Sequence, residues 1–72
     1  MSKAESKARA LIAAQSTAQL VEQFELTELV NTSGIYTVRG WLMDELQKRN
    51  PAAFDKWIES EDESPRAHFI SA

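Results

Sequence analysis

The side chains able to do chemistry are few, and their spacing works against catalysis. The single histidine, His68, follows a Ser64-Pro65 step. No acidic residue forms a recognisable motif with it, and no loop offers oxyanion-type donors. A nucleophile, its base and the group that orients the base must be held in one line. A Ser/His pair in a chain end lacks that rigidity, so His68 reads as exposed and inert. Asp44 and Glu45 are neighbours, and on a helix neighbouring side chains diverge by about 100°, which prevents them from sharing a proton. With no cysteine and one histidine, a Cys-based zinc site and a His cluster are both excluded. Neither Gly34 nor Gly40 sits in a phosphate-cradling run. The reading is non-enzymatic, with no catalytic, cofactor-binding or metal-binding residue and no cofactor.

What remains is contact chemistry. Glu45 and Arg49 have the i, i+4 spacing of a helical ion pair and flank Trp41. Trp41, Trp57, Phe54 and Tyr36 read as core, because a small domain needs its aromatic area inside. Met43 falls about 100° off the main apolar stripe of its helix. Large apolar side chains left outside one folded chain mark an interface. The candidate partner contacts are therefore Leu11, Ile12, Met43, Glu45, Phe69 and Ile70.

Charge narrows the partner. The net charge is −3 and it is unevenly spread. Lys3, Lys7 and Arg9 outweigh Glu5 near the start. Glu22, Glu25 and Glu28 come next without a cation. Glu61, Asp62 and Glu63 face only Arg66 near the end. No face gathers the cations that a phosphate backbone requires. The Asn50-Pro51 break is too abrupt for a helix-turn-helix connection, and the helix after it exposes Asp55 and Glu59 beside Lys56. Nucleic acid is disfavoured. An atypical DNA-binding or transcription-regulating protein is the alternative to a protein-binding one.

These residues need a scaffold. A chain of 72 residues makes one small domain that buries roughly 60% of its unfolded surface, here without disulfides. The pattern predicts an all-α, irregular bundle of three to four short helices at about 3–14, 17–29, 33–49 and 51–60. Residues 61–72 form a mobile acidic tail with an apolar end. Ser2 and Glu5 have capping-box spacing. Ala8, Leu11 and Ile12 lie nearly opposite Leu20, Val21 and Phe24 on a continuous helical wheel. Ser16-Thr17-Ala18-Gln19 offers a second capping box, which favours a restart near Ser16 over one helix from 4 to 29. Thr32 is the expected N-cap of the third helix. Asn50 ends that helix and caps the next, with Pro51 at the first helical position. Gly40, in mid-helix, implies close approach of a neighbouring helix. Phe69 and Ile70 are expected to dock on the core or on a partner. No apolar run reaches the roughly 18 residues of a membrane span, and the start is too weak for a signal peptide. The expectation is a soluble, cytoplasmic protein.

The run Val38-Arg39-Gly40-Trp41-Leu42-Met43-Asp44-Glu45-Leu46, with Asn50-Pro51-Ala52-Ala53-Phe54-Asp55-Lys56-Trp57 after it, resembles small uncharacterised helical proteins of actinobacterial phages and mobile elements. Gln23-Phe24-Glu25 and Ser64-Pro65-Arg66 are similar in placement, so the likeness spans about residues 20–70, leaving 1–15 outside. That family has no assigned activity and transfers no site residues. The resemblance implies a short accessory protein. Together the readings give a non-enzymatic interaction module that binds another protein or a second copy of itself.

Overall fold

A computed structural model describes residues 3–30 and 34–70. They form five helices and no strand: α1 (Lys3–Ala13), α2 (Thr17–Thr27), α3 (Ile35–Arg49), α4 (Pro51–Ser60) and α5 (Arg66–Phe69). Ser2 and Thr32, the expected caps of the first and third helices, lie outside the described residues. None of the helices is long and apolar enough to cross a membrane.

The restart at Ser16 is built as its residue types require. The Gln19 backbone N–H donates to Ser16 Oγ at 3.1 Å, and the Ser16 N–H donates to Gln19 Oε1 at 2.9 Å. Two otherwise orphaned donors are thereby satisfied at once. The break turns the chain so that Ile12 on α1 and Leu20, Val21 and Phe24 on α2 enter one core despite their opposed phases. Ile12 is only 8% exposed, which corrects its reading as left-over surface. Its neighbour Leu11, about 100° around α1, is 59% exposed.

Asn50 performs both expected roles. Its N–H donates to Leu46 O at 3.1 Å, closing α3, and its Oδ1 accepts from the Ala53 N–H at 3.1 Å, opening α4. Leu42 and Leu46 of α3 are fully buried, and Trp57 of α4 meets Phe24 edge-on at 5.1 Å and Phe54 at 5.7 Å. Such T-shaped pairs let a ring edge meet a ring face. Two core expectations change. Tyr36 is 78% exposed, since it lies off the Leu42/Leu46 stripe at the start of α3. Gly40 has no close neighbour: a Cβ added there would meet nothing within 4 Å, and nothing in the fold explains the glycine.

The segment after Ser60 is not a free tail. Pro65 is fully buried, and Phe69 and Ile70 pack half-buried against the core. Residues 66–69 make a fifth helix that lies on α2 and α4. Apolar burial of Pro65, Phe69 and Ile70 offsets the entropy of ordering the acidic stretch before them.

Candidate functional site

α4 ends in a turn that sets the course of the acidic stretch. Glu61 takes a left-handed conformation, φ 64°, and reverses the chain. Ser60 Oγ donates to Trp57 O at 2.7 Å and accepts from the Asp62 N–H at 3.2 Å. Trp57 Nε1 donates to Asp62 O at 2.8 Å. The core tryptophan therefore fixes the acidic stretch by its one polar atom, as a buried indole N–H requires. Residues 61–63 are thereby laid beside α4, facing the end of α2 and one side of α3.

The result is an open groove of about 520 Å³. Phe24, Met43, Trp57 and Ile58 supply its apolar lining, and Glu28, Glu61, Asp62, Glu63 and Arg39 its charges. Arg39 lies over the Phe24 ring, 4.5 Å from the centroid, a cation–π contact. Asp62 is bound to His68 at 3.0 Å. Among the described residues Glu28, Glu61 and Glu63 have no ion-pair partner. Three unneutralised carboxylates beside apolar surface give this groove a negative potential.

The outer wall is clamped by Glu25. Arg66 donates to it twice, Nε to Oε2 at 2.9 Å and Nη2 to Oε1 at 2.6 Å, and Ser64 Oγ donates to Oε2 at 2.7 Å. Hydrogen bonding from Arg66, and then from Ser64, lowers the Glu25 pKa from the usual 4.5 to about 2. The clamp ties the start of α5 to α2.

His68 is neither exposed nor without an acidic neighbour. Its side chain is 20% exposed, and Nε2 lies 3.0 Å from Asp62 Oδ2 and 3.2 Å from Ser60 Oγ. A catalytic triad needs the acid on one ring nitrogen and the hydroxyl on the other. Here both partners crowd the same nitrogen, and the Ser60 hydroxyl is directed to Trp57 O. The cluster is a helix-end lock. No group of three or more His, Cys, Asp or Glu among the described residues is placed to hold a metal ion.

The six residues singled out from the sequence fall in different places. Met43 lines the groove. Leu11 is exposed on α1, away from it. Ile12, Phe69 and Ile70 serve the core of this chain. Glu45 is paired with Arg49 at 2.8 Å, as the i, i+4 spacing predicts. That arginine does not stop at Glu45, and the cation over Trp41 is Arg9, 5.8 Å from the ring centroid. Arg49 also donates to Ala13 O at 3.1 Å, Gln15 O at 2.6 Å and Thr17 Oγ1 at 3.2 Å, closing the joint between α1 and α2.

Sequence reasoning missed Glu28, Arg39, Ile58 and the acidic stretch as site residues. The stretch is legible as charge but not as a folded wall, because its anchor, Glu25 with Arg66, spans 41 residues. Three further exposed apolar residues at and after the end of α2 also escape it. Leu26, Leu29 and Val30 are exposed, and on a helical wheel they fall about 180° from Leu20, Val21 and Phe24, which is the signal that could have found them.

No protein-family model, no curated protein and no solved structure matches this chain.

Proposed function

We propose that this chain is a non-enzymatic interaction module, and that the groove beside α3 is where it binds another protein. One observation carries the reading: an apolar lining that includes Met43 and the half-exposed Ile58 lies beside carboxylates that have no ion-pair partner among the described residues. Apolar surface rimmed by polar groups is what a protein contact uses, whereas phosphate is repelled by such a rim. Nothing in the arrangement favours the DNA-binding alternative. The Ser60, His68 and Asp62 geometry supports a reading without catalysis. An accessory role, as the resemblance to phage and mobile-element proteins implies, and a cytoplasmic setting, as absence of cysteine suits, complete the proposal.

The test is a selection from a random peptide library displayed on phage, counter-screened with Ile58→Ser and Met43→Ser proteins of unchanged helicity. Enriched peptides should lose at least tenfold in affinity on either change. A selection that returns only peptides indifferent to both changes would remove the groove from consideration.

A further inference from the structure

α1 carries a face that the fold does not use. Lys3, Lys7 and Leu11 recur at i, i+4 and i+8, so they form one stripe along the helix. All three are exposed. Neither lysine has an ion-pair partner among the described residues. The stripe points away from Ile12 and Arg9, which turn toward α3. It is a short cationic, amphipathic surface in a chain whose arginines at 9, 49 and 66 are occupied by carboxylates.

The groove is its complement. It offers Met43 and Ile58 to an apolar side chain, and Glu28, Glu61 and Glu63 to cations. Its lining comes mostly from helices, whose backbone groups are satisfied internally, so an extended strand would find little to pair with. A helix brings its own backbone satisfied and suits such a site. The two surfaces cannot meet within one molecule. α1 packs on the side of α3 that carries Trp41, Asp44, Glu45 and Lys48, whereas the groove uses Arg39 and Met43. On the α3 wheel these two sets lie about 180° apart.

We infer that the groove accepts α1 of a second copy of this chain, with Leu11 seated toward Met43 and Ile58 and with Lys3 and Lys7 against the acidic rim. This rests on the reading of the groove as a protein contact and names its occupant. Because donor and acceptor surfaces differ, the contact is heterologous, and copies associate head to tail. The pairing is weak and strongly salt-dependent, since exposed charges at this distance are screened by ions and one leucine supplies the main apolar anchor.

The experiment is sedimentation equilibrium on the full chain from 20 µM to 1 mM. In 50 mM NaCl the average mass should rise with concentration, and 500 mM NaCl should weaken association at least fivefold. A donor-dead variant, Lys7→Glu with Leu11→Ser, and an acceptor-dead variant, Ile58→Ser with Glu61→Gln and Glu63→Gln, should each be monomeric with native circular dichroism. Mixed in equal amounts they should form a dimer that does not grow, because each retains one functional half. A control that removes the same number of carboxylates elsewhere, Glu22→Gln with Glu59→Gln, should associate like the wild type or slightly better.

Three results would overturn the inference: a wild type monomeric across the range, a donor-dead or acceptor-dead variant that still associates, or a mixture that stays monomeric. A monomeric wild type alongside groove-dependent peptides from the display selection would remove self-association and leave the groove as a site for another protein. Failure of both would remove the groove.

Discussion

The two sides of α3 both gather charges around aromatic rings, and they differ in how many of those charges are answered. On the α1 side every carboxylate of the cleft is answered. Arg9 bridges Glu5 at 3.1 Å and Asp44 at 3.2 Å, 5.8 Å from the Trp41 ring centroid, and Arg49 takes Glu45 and the joint between α1 and α2. On the other side Arg39 lies over Phe24 and His68 meets Asp62, while Glu28, Glu61 and Glu63 have no ion-pair partner among the described residues. Both sides hold a cleft of similar size, about 480 Å³ on the α1 side and about 520 Å³ on the other, so what differs is the pairing of charge and not the space. The contrast teaches that the charge count of a face says little about its role; the share of charges already answered within the chain says more.

The largest expected effect comes from the residue that serves both the core and the groove side. Trp57 is 4% exposed, and its indole N–H holds Asp62. Trp57→Ala should destabilise by about 3–5 kcal/mol, as truncation of buried Trp does. Set against a total of order 5 kcal/mol for a domain this small, the variant should be unfolded by circular dichroism at 25 °C. A folded variant of unchanged thermal midpoint would show that the groove wall and the core do not share this anchor.

The next effect falls on the α1 side alone. Arg49→Met keeps an apolar stem and removes the guanidinium that four acceptors share. Loss of hydrogen bonds to a charged group in a half-buried setting should cost about 2 kcal/mol. Hydrogen exchange should quicken in α1 and at the start of α2 while α4 and α5 keep their protection relative to the global stability. Equal loosening of both sides would erase the distinction drawn between them.

How much of the fold is legible in the sequence depends on sequence distance. The Ser16 restart, the Asn50-Pro51 junction and the Glu45/Arg49 pair each lie within a helical turn, where residue type and spacing suffice. The acidic stretch reads as a free tail because what orders it is remote. Glu25 is contacted by Ser64 and Arg66 across roughly forty positions, and Pro65 is buried by tertiary packing alone. Ile12 reads as surface for a related reason. The capping box is visible in the sequence, but the change of direction it imposes, and hence which face of α1 meets the core, is a three-dimensional consequence. Met43 stands out by its phase on the wheel, and it does line the groove. The carboxylates around it could not be placed without the fold.

A local device should give a local and smaller effect. Ser16→Ala removes one half of the capping box, which is worth about 1 kcal/mol, and Gln19→Ala should cost less, since it leaves the Ser16 hydroxyl on the residue-19 N–H. Chemical denaturation with an unchanged slope checks both. A loss as large as that of Arg49→Met would mean that the cap holds the joint between α1 and α2 as firmly as the arginine does.

The smallest effect at neutral pH should come from the clamp on the groove side, and its signature is acidic. Glu25 and Arg66 are both substantially exposed, so solvent screening makes their pairing a minor contribution to stability at pH 7. Pro65, Phe69 and Ile70 should still hold α5 in Glu25→Gln. The folded carboxyl has its pKa lowered from 4.5 to about 2, so the unfolded chain takes up a proton first as pH falls. The contribution of this group is therefore fully present above about 4.5 and is lost as pH descends to about 2. Wild type should lose stability across that window more steeply than Glu25→Gln, with the two curves near each other at neutral pH. A carboxyl ¹³C titration should place the Glu25 midpoint well below that of an ordinary glutamate. If instead Glu25→Gln releases α5 at pH 7, seen as loss of slowed exchange at the Phe69 and Ile70 amides, then charge rather than apolar burial holds the groove wall. The groove side would then be held together by an arginine just as the α1 side is, and the contrast between the two faces would fail.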